Sequence, residues 1–108
     1  MTRRVIIAGG RDFGDVNVKR AIKRGVDIHV AKVQRLWAFY HLDRLLLPHF
    51  PIEPVSGRAT GADTVGEEWA ALRGMKSTPF PAKWNDFGKR AGHIRNQEMA
   101  DYAGPDGM

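Results

Sequence analysis

Two short strand-like segments, the first a β-branched run, each entering a glycine-rich turn, constrain this chain most. Residues 4–8 (Arg-Val-Ile-Ile-Ala) lead into Gly9-Gly10, and residues 53–56 (Glu-Pro-Val-Ser) lead into Gly57. Runs of this length bounded by glycine read as buried strands closed by tight turns. The stretch between them has helical spacing and is broken by Gly25, which predicts one helix near 16–24 and a longer one near 28–47. Val30, Val33, Trp37 and Tyr40 form one apolar stripe on the longer helix, and Leu36, Phe39, Leu42 and Leu46 form a second. Two stripes make a wide apolar face, so this helix is either well buried or offers a surface to a partner. Pro48 stops it.

After the second turn, Thr60 and Asp63 fit a capping box ahead of a helix that runs to Arg73. Ala62, Val65, Trp69 and Leu72 are its expected core face, with Gly74 as the stop. A third strand is expected over 76–80, then a loop over 81–88 and a last helix over 89–102. Alternating strands and helices point to an α/β domain: a short parallel sheet with crossover helices, open and Rossmann-like. The expected organisation is one domain over 1–103 with a flexible tail at 104–108.

The 108 residues include no cysteine, which excludes a disulfide scaffold, a thiolate metal site and a cysteine nucleophile. Seventeen Lys and Arg against 12 Asp and Glu give a net charge of +5, which favours anionic partners. No apolar run approaches the roughly 20 residues of a membrane span. Met1-Thr2-Arg3-Arg4 passes directly into a run too short for a signal-peptide core. The expectation is a cytoplasmic protein with no membrane partner.

In open parallel sheets, ligands bind beyond the carboxyl ends of the strands. Ala8–Phe13 and Ser56–Asp63 both lie there. Their glycines allow a phosphate close to the backbone, the following helix offers N–H groups, and Arg11 and Arg58 add positive charge. The alternative is a pair of ordinary tight turns. Asp63 and Glu67 stand four apart on one helix face, suited to ribose hydroxyls or acid/base work. Asp63 also reads as the capping residue, whereas Glu67 has no structural partner in the sequence. Arg95 and Asn96 follow Gly92, and a glycine inside a helix suggests close approach of a ligand or another backbone. Otherwise Arg95 is a surface residue paired with Gln97, Glu98 or Asp101. The four histidines have no metal-ligand spacing, so no metal is expected. Trp84 reads as a packed loop residue or as a platform for a base.

The strings VIIAGGRDF, VSGRATGADTVGEEWA, FPAKW and AGHIRNQEMAD, in this order, resemble the YspA-type (cpYpsA-related) family of the SLOG superfamily. The resemblance implies a three-layer Rossmann-like domain binding a nucleotide or nucleotide-derived ligand. It implies that Gly9, Gly10, Arg11, Ser56, Gly57, Gly61, Asp63 and Glu67 line the site. Residues 95–99 also resemble the R-K-x-x-M motif of the Lonely-guy phosphoribohydrolases, which implies that Arg95 meets phosphate or sugar. If the chain is an enzyme, Glu67 and Arg95 would then assist N-glycosidic cleavage of a nucleoside monophosphate. Those enzymes carry a later glycine-rich phosphate cradle that is not found here, and the sheet is expected to lack the family's final strands. The stretch 16–41 is longer than the family's usual connection. Its Lys19, Arg20, Lys23, Arg24, Lys32 and Arg35 make either a solvated surface or a face for an anionic polymer. The string SGRATGAD also resembles the loop of the Smf/DNA-processing proteins, which keeps single-stranded nucleic acid as a lesser alternative. The resulting expectation is a sensor, sequestering or regulatory module with no cofactor, taking a nucleotide-derived ligand; the broad apolar helix and the exposed edge of a sheet without its final strands both favour a homo-oligomer.

Overall fold

In the computed structural model, which describes residues 2–104, three parallel strands form one sheet: β1 (Arg3–Ile6), β2 (Ile52–Ser56) and β3 (Thr78–Pro79), in the order β1-β2-β3. The helices are α1 (Val18–Arg24), α2 (Ile28–Leu46), α3 (Ala62–Leu72), α4 (Trp84–Phe87) and α5 (Ala91–Ala103). This is a small Rossmann-like α/β domain, as the alternating pattern predicts. Residues 105–108 of the expected tail lie outside the described residues.

Local chemistry sets the helix limits. Asn17 caps α1 by accepting from the Arg20 amide, and Gly25 ends it in the left-handed region at φ 69°. Asp27 caps α2 through the His29 amide. The capping box expected at Thr60 and Asp63 does not form. Gly61 is the N-cap of α3 and makes no side-chain cap bond. Thr60 instead donates to the Arg11 carbonyl, and Asp63 accepts from the Ala59 amide.

The third strand is shorter than the expected 76–80. Successive β2 residues face opposite neighbours: the Val55 carbonyl accepts from Ile7, and the Ser56 carbonyl from Phe80. By this alternation Pro54 faces β3, with no N–H to give to a carbonyl near Lys76. Pairing therefore starts only at Val55↔Thr78. The expected loop over 81–88 holds the single helical turn of α4, followed by a 3-10 turn over Gly88–Arg90.

The two faces of the sheet differ, as the period-two alternation of a strand requires. Val5 and Ile52 point to the side of α2 and α3, where Leu46, Trp69, Ala70 and Met75 complete a buried cluster. The opposite face carries Arg4 and Glu53, covered by α5. There Arg4 lies 4.0 Å over the Tyr102 ring, and the Tyr102 hydroxyl donates to Glu53.

The stripes of α2 divide in a way that corrects the expected core. Phe39, Leu42 and Leu46 pack inward. Val30, Val33, Trp37, Tyr40 and Leu36 remain exposed, as does Leu72 of α3. The buried line of α2 includes Ala31 and Ala38, whose small side chains let the helix backbone approach its neighbours closely.

Candidate functional site

The carboxyl ends of the strands open into a cleft of about 390 Å³. Arg11 enters it from the turn after β1, Arg24 from the end of α1, Arg58 from the turn after β2, and Arg95 from α5. Thr60 and Trp84 also line it, and among the described residues no carboxylate does.

The frame of this cleft is a lock between its two turns. The Ala62 amide donates to the Gly10 carbonyl at 3.0 Å, and the Thr60 hydroxyl donates to the Arg11 carbonyl at 3.1 Å. Gly61 makes this approach possible. Its φ is 78°, and a Cβ there would stand 2.3 Å from the carbonyl oxygens of both Gly10 and Arg11. A side chain at 61 would hold the two turns apart.

Each guanidinium is held differently. Arg24 bonds Asp12 at 2.9 Å and reaches the Thr60 hydroxyl at 3.3 Å. Arg58 is a non-glycine residue in the left-handed region, at φ 63°. Such a conformation costs roughly 1–2 kcal/mol and points to what holds it. The Arg58 amide donates to Ser56 Oγ, and its guanidinium meets Glu67 Oε1 at 2.9 Å. Arg95 donates to the Gly57 carbonyl and, through Nε, to Asn96 Oδ1 at 2.8 Å. The Arg11 guanidinium has no hydrogen-bond or ion-pair partner among the described residues.

Two carboxylates stand behind the arginines. Glu67 accepts from the buried Ser56 hydroxyl at 2.5 Å as well as from Arg58, so both of its oxygens are engaged. This supplies the structural partner that the sequence did not show. Asp63 is buried, and burial pushes its pKa up, against the lowering effects of the Ala59 amide and the Arg95 charge.

The sequence-predicted residues therefore separate into groups. Arg11, Gly57 and Arg95 line the arginine cleft. Ser56, Gly61, Asp63 and Glu67 build its wall. Gly9 and Gly10 line a different, largely apolar cleft of about 340 Å³ beside Phe13, Trp37 and His41. Asn96 is exposed and holds the Arg95 guanidinium. The alternative for Arg95, a surface residue paired with Gln97, Glu98 or Asp101, does not hold; Gln97 bonds Asp101 instead. The close neighbour of Gly92 is the Trp84 ring, 3.6 Å from where a Cβ would stand. Arg24 was missing from the predicted site, and no local motif marks it. The basic stretch that contains it is only partly a solvated surface, because Arg20 pairs with Asp15 and Arg35 with Glu68.

A model of the YspA, cpYpsA-related SLOG family matches residues 3–87. The chain belongs to that family. The match takes in both glycine turns and reaches α4, and it associates this SLOG chain with nucleotide-related binding in general terms. No curated protein and no solved structure matches the chain. Among the described residues of the SLOG domain, no three His, Asp or Glu side chains are grouped to hold a metal ion, and no helix is long and apolar enough to cross a membrane.

Proposed function

We propose that this SLOG domain binds a nucleotide or nucleotide-derived ligand in the arginine cleft, as a sensor, sequestering or regulatory module. The observation that carries this reading is the convergence of four guanidiniums, from four separate segments, on one cleft. Asp12 and Glu67 balance Arg24 and Arg58, which leaves the charges of Arg11 and Arg95 at the same cleft for an anion to meet. Guanidiniums match phosphate oxygens with paired N–H donors. The half-exposed Trp84 offers a face for a base at the same opening. A volume of about 390 Å³ falls within the usual range of small-molecule sites.

The experiment is thermal melting with AMP, ADP, NAD, ADP-ribose, cyclic nucleotides and short single-stranded DNA. A ligand at 100 times its Kd stabilises by about 2.7 kcal/mol. The ligand that shifts the melt is then titrated against Arg95→Ala and Arg11→Ala, each expected to weaken binding by about 1.5–3 kcal/mol. Unchanged affinity in both variants sinks the site. A shift with DNA alone, lost steeply with added salt, replaces the mononucleotide reading with a nucleic-acid one.

A further inference from the structure

The outward face of α2 is a heptad seam left largely uncovered; of its residues Trp37 meets a ring from outside the helix, edge-on to Phe13 at 6.2 Å. Val30, Val33, Trp37, Tyr40, Arg44 and Leu47 follow one another at spacings of three and four, the repeat by which one helix packs along another. Val30, Val33, Trp37 and Tyr40 are each between 50% and 66% exposed. The opposite side of α2, through Ala31, Ala38 and Leu46, is buried in the domain. The helix is thus apolar on two sides and covered on one.

We propose that this face is a homodimer interface, with α2 of one copy packed antiparallel against α2 of a second. Three observations select that occupant. First, the spacing along the seam reads the same in either direction, so an antiparallel copy returns every seam residue to a seam position. Trp37 then lies opposite Tyr40 at the centre, and Val30 opposite Leu47 at the ends. Second, the one charged seam residue falls opposite Val33, and Arg44 already folds its guanidinium over the Tyr40 ring at 5.7 Å, leaving its aliphatic stem to cover a small apolar side chain. Third, the seam with neighbouring Leu36 exposes on the order of 600 Å² per copy, near the roughly 800 Å² that each partner gives to a stable interface. Trp37 also lines the apolar cleft beside Gly9 and Gly10. A second copy would extend over the mouth of that cleft, away from the arginines.

The test is the mass of the purified protein by light scattering over a concentration series, with Val33→Glu and Trp37→Glu as variants. The proposal expects twice the chain mass for the wild type and the single-chain mass for both variants. Their melting must remain cooperative, because these side chains are exposed in the single copy. A wild type that stays monomeric at every concentration overturns the proposal, and so does a folded Val33→Glu that stays dimeric. Orientation is read without relying on either variant. The chain has no cysteine, so Trp37→Cys and Val30→Cys each carry a single thiol. Antiparallel packing expects oxidation to link two copies at 37, near the axis, and not at 30. Linking at 30 as readily as at 37 overturns the antiparallel arrangement.

Discussion

Replacing Gly57 by alanine tests the central contact of the site without removing a charge. A Cβ at 57 would stand 2.6 Å from Nη1 of Arg95 and 2.9 Å from Oδ2 of Asp63, both far inside ordinary contact distance. The backbone at 57 is not in the left-handed region, so the cost is not conformational strain. The guanidinium is the far end of a flexible side chain and can move, but it must then leave the Gly57 carbonyl. Hydrogen bonds to charged groups contribute about 1.5–3 kcal/mol, and partial exposure of this one places the expected loss at about 1–2 kcal/mol. In an Arg95→Ala background that contact is already gone, and only the approach to Asp63 remains. The same glycine substitution should then cost at least about 0.5–1 kcal/mol less, a coupling characteristic of residues in contact. Urea unfolding of the four proteins measures it, with thermal midpoints as a check at about 4 °C or more per kcal/mol. Equal costs in the two backgrounds would refute the reasoning, as would a Gly57→Ala protein as stable as the wild type.

Other perturbations follow from the same geometry. Arg58→Gly should change stability by less than about 1 kcal/mol, because relief of the left-handed backbone offsets the lost Glu67 pair and the added freedom of the unfolded chain. Anion affinity should nevertheless fall, and calorimetry of the ligand complex with parallel unfolding curves separates the two effects. Gly61→Ala should destabilise by more than about 2 kcal/mol, since the positive φ and two backbone carbonyls in its path leave the methyl nowhere to go. Asp63→Asn removes a buried negative charge behind Arg95, so anion binding should tighten by about 0.5–1 kcal/mol, read in the same titration. Asp43 accepts from Arg73 and Trp69, and these bonds, Arg73 first, lower its pKa from 3.8 to about 2. A lowered folded pKa gives stability that is full above the unfolded value and lost as pH falls through the folded one. The acid limb of the melting curve should therefore include a loss between about pH 4 and 2, and Asp43→Asn should flatten it.

Much of the fold was legible because the signals are local. The strand runs ending at Gly9 and Gly57 and the break at Gly25 each act within a few residues, and each lies in or beside the element expected, whereas the Asn17 and Asp27 caps were found only in the structure. The single turn of α4 was not legible, because four residues carry no helical period. The start of β3 was not legible from its own residues either, since a proline on the neighbouring strand decides it. At the site, the glycine turns and Arg11, Arg58 and Arg95 were visible in the sequence. The lock through Gly61 was not, nor was the recruitment of Arg24, twelve residues from its Asp12 partner and 36 from Thr60.

By itself, then, the sequence determined the order of the strands and of the longer helices, the parallel α/β class, the family and the edge at which glycine turns gather. Those properties depend on periodicity, φ preferences and turn chemistry, which a short segment carries alone. Only the tertiary structure decided which side of α2 is buried, that Glu67 is engaged by Ser56 and Arg58, and that four arginines share one cleft. The reason is physical: an apolar stripe or a charge has the same local energy on either side of a helix. Its place is fixed only when segments distant in the chain compete for the same contacts.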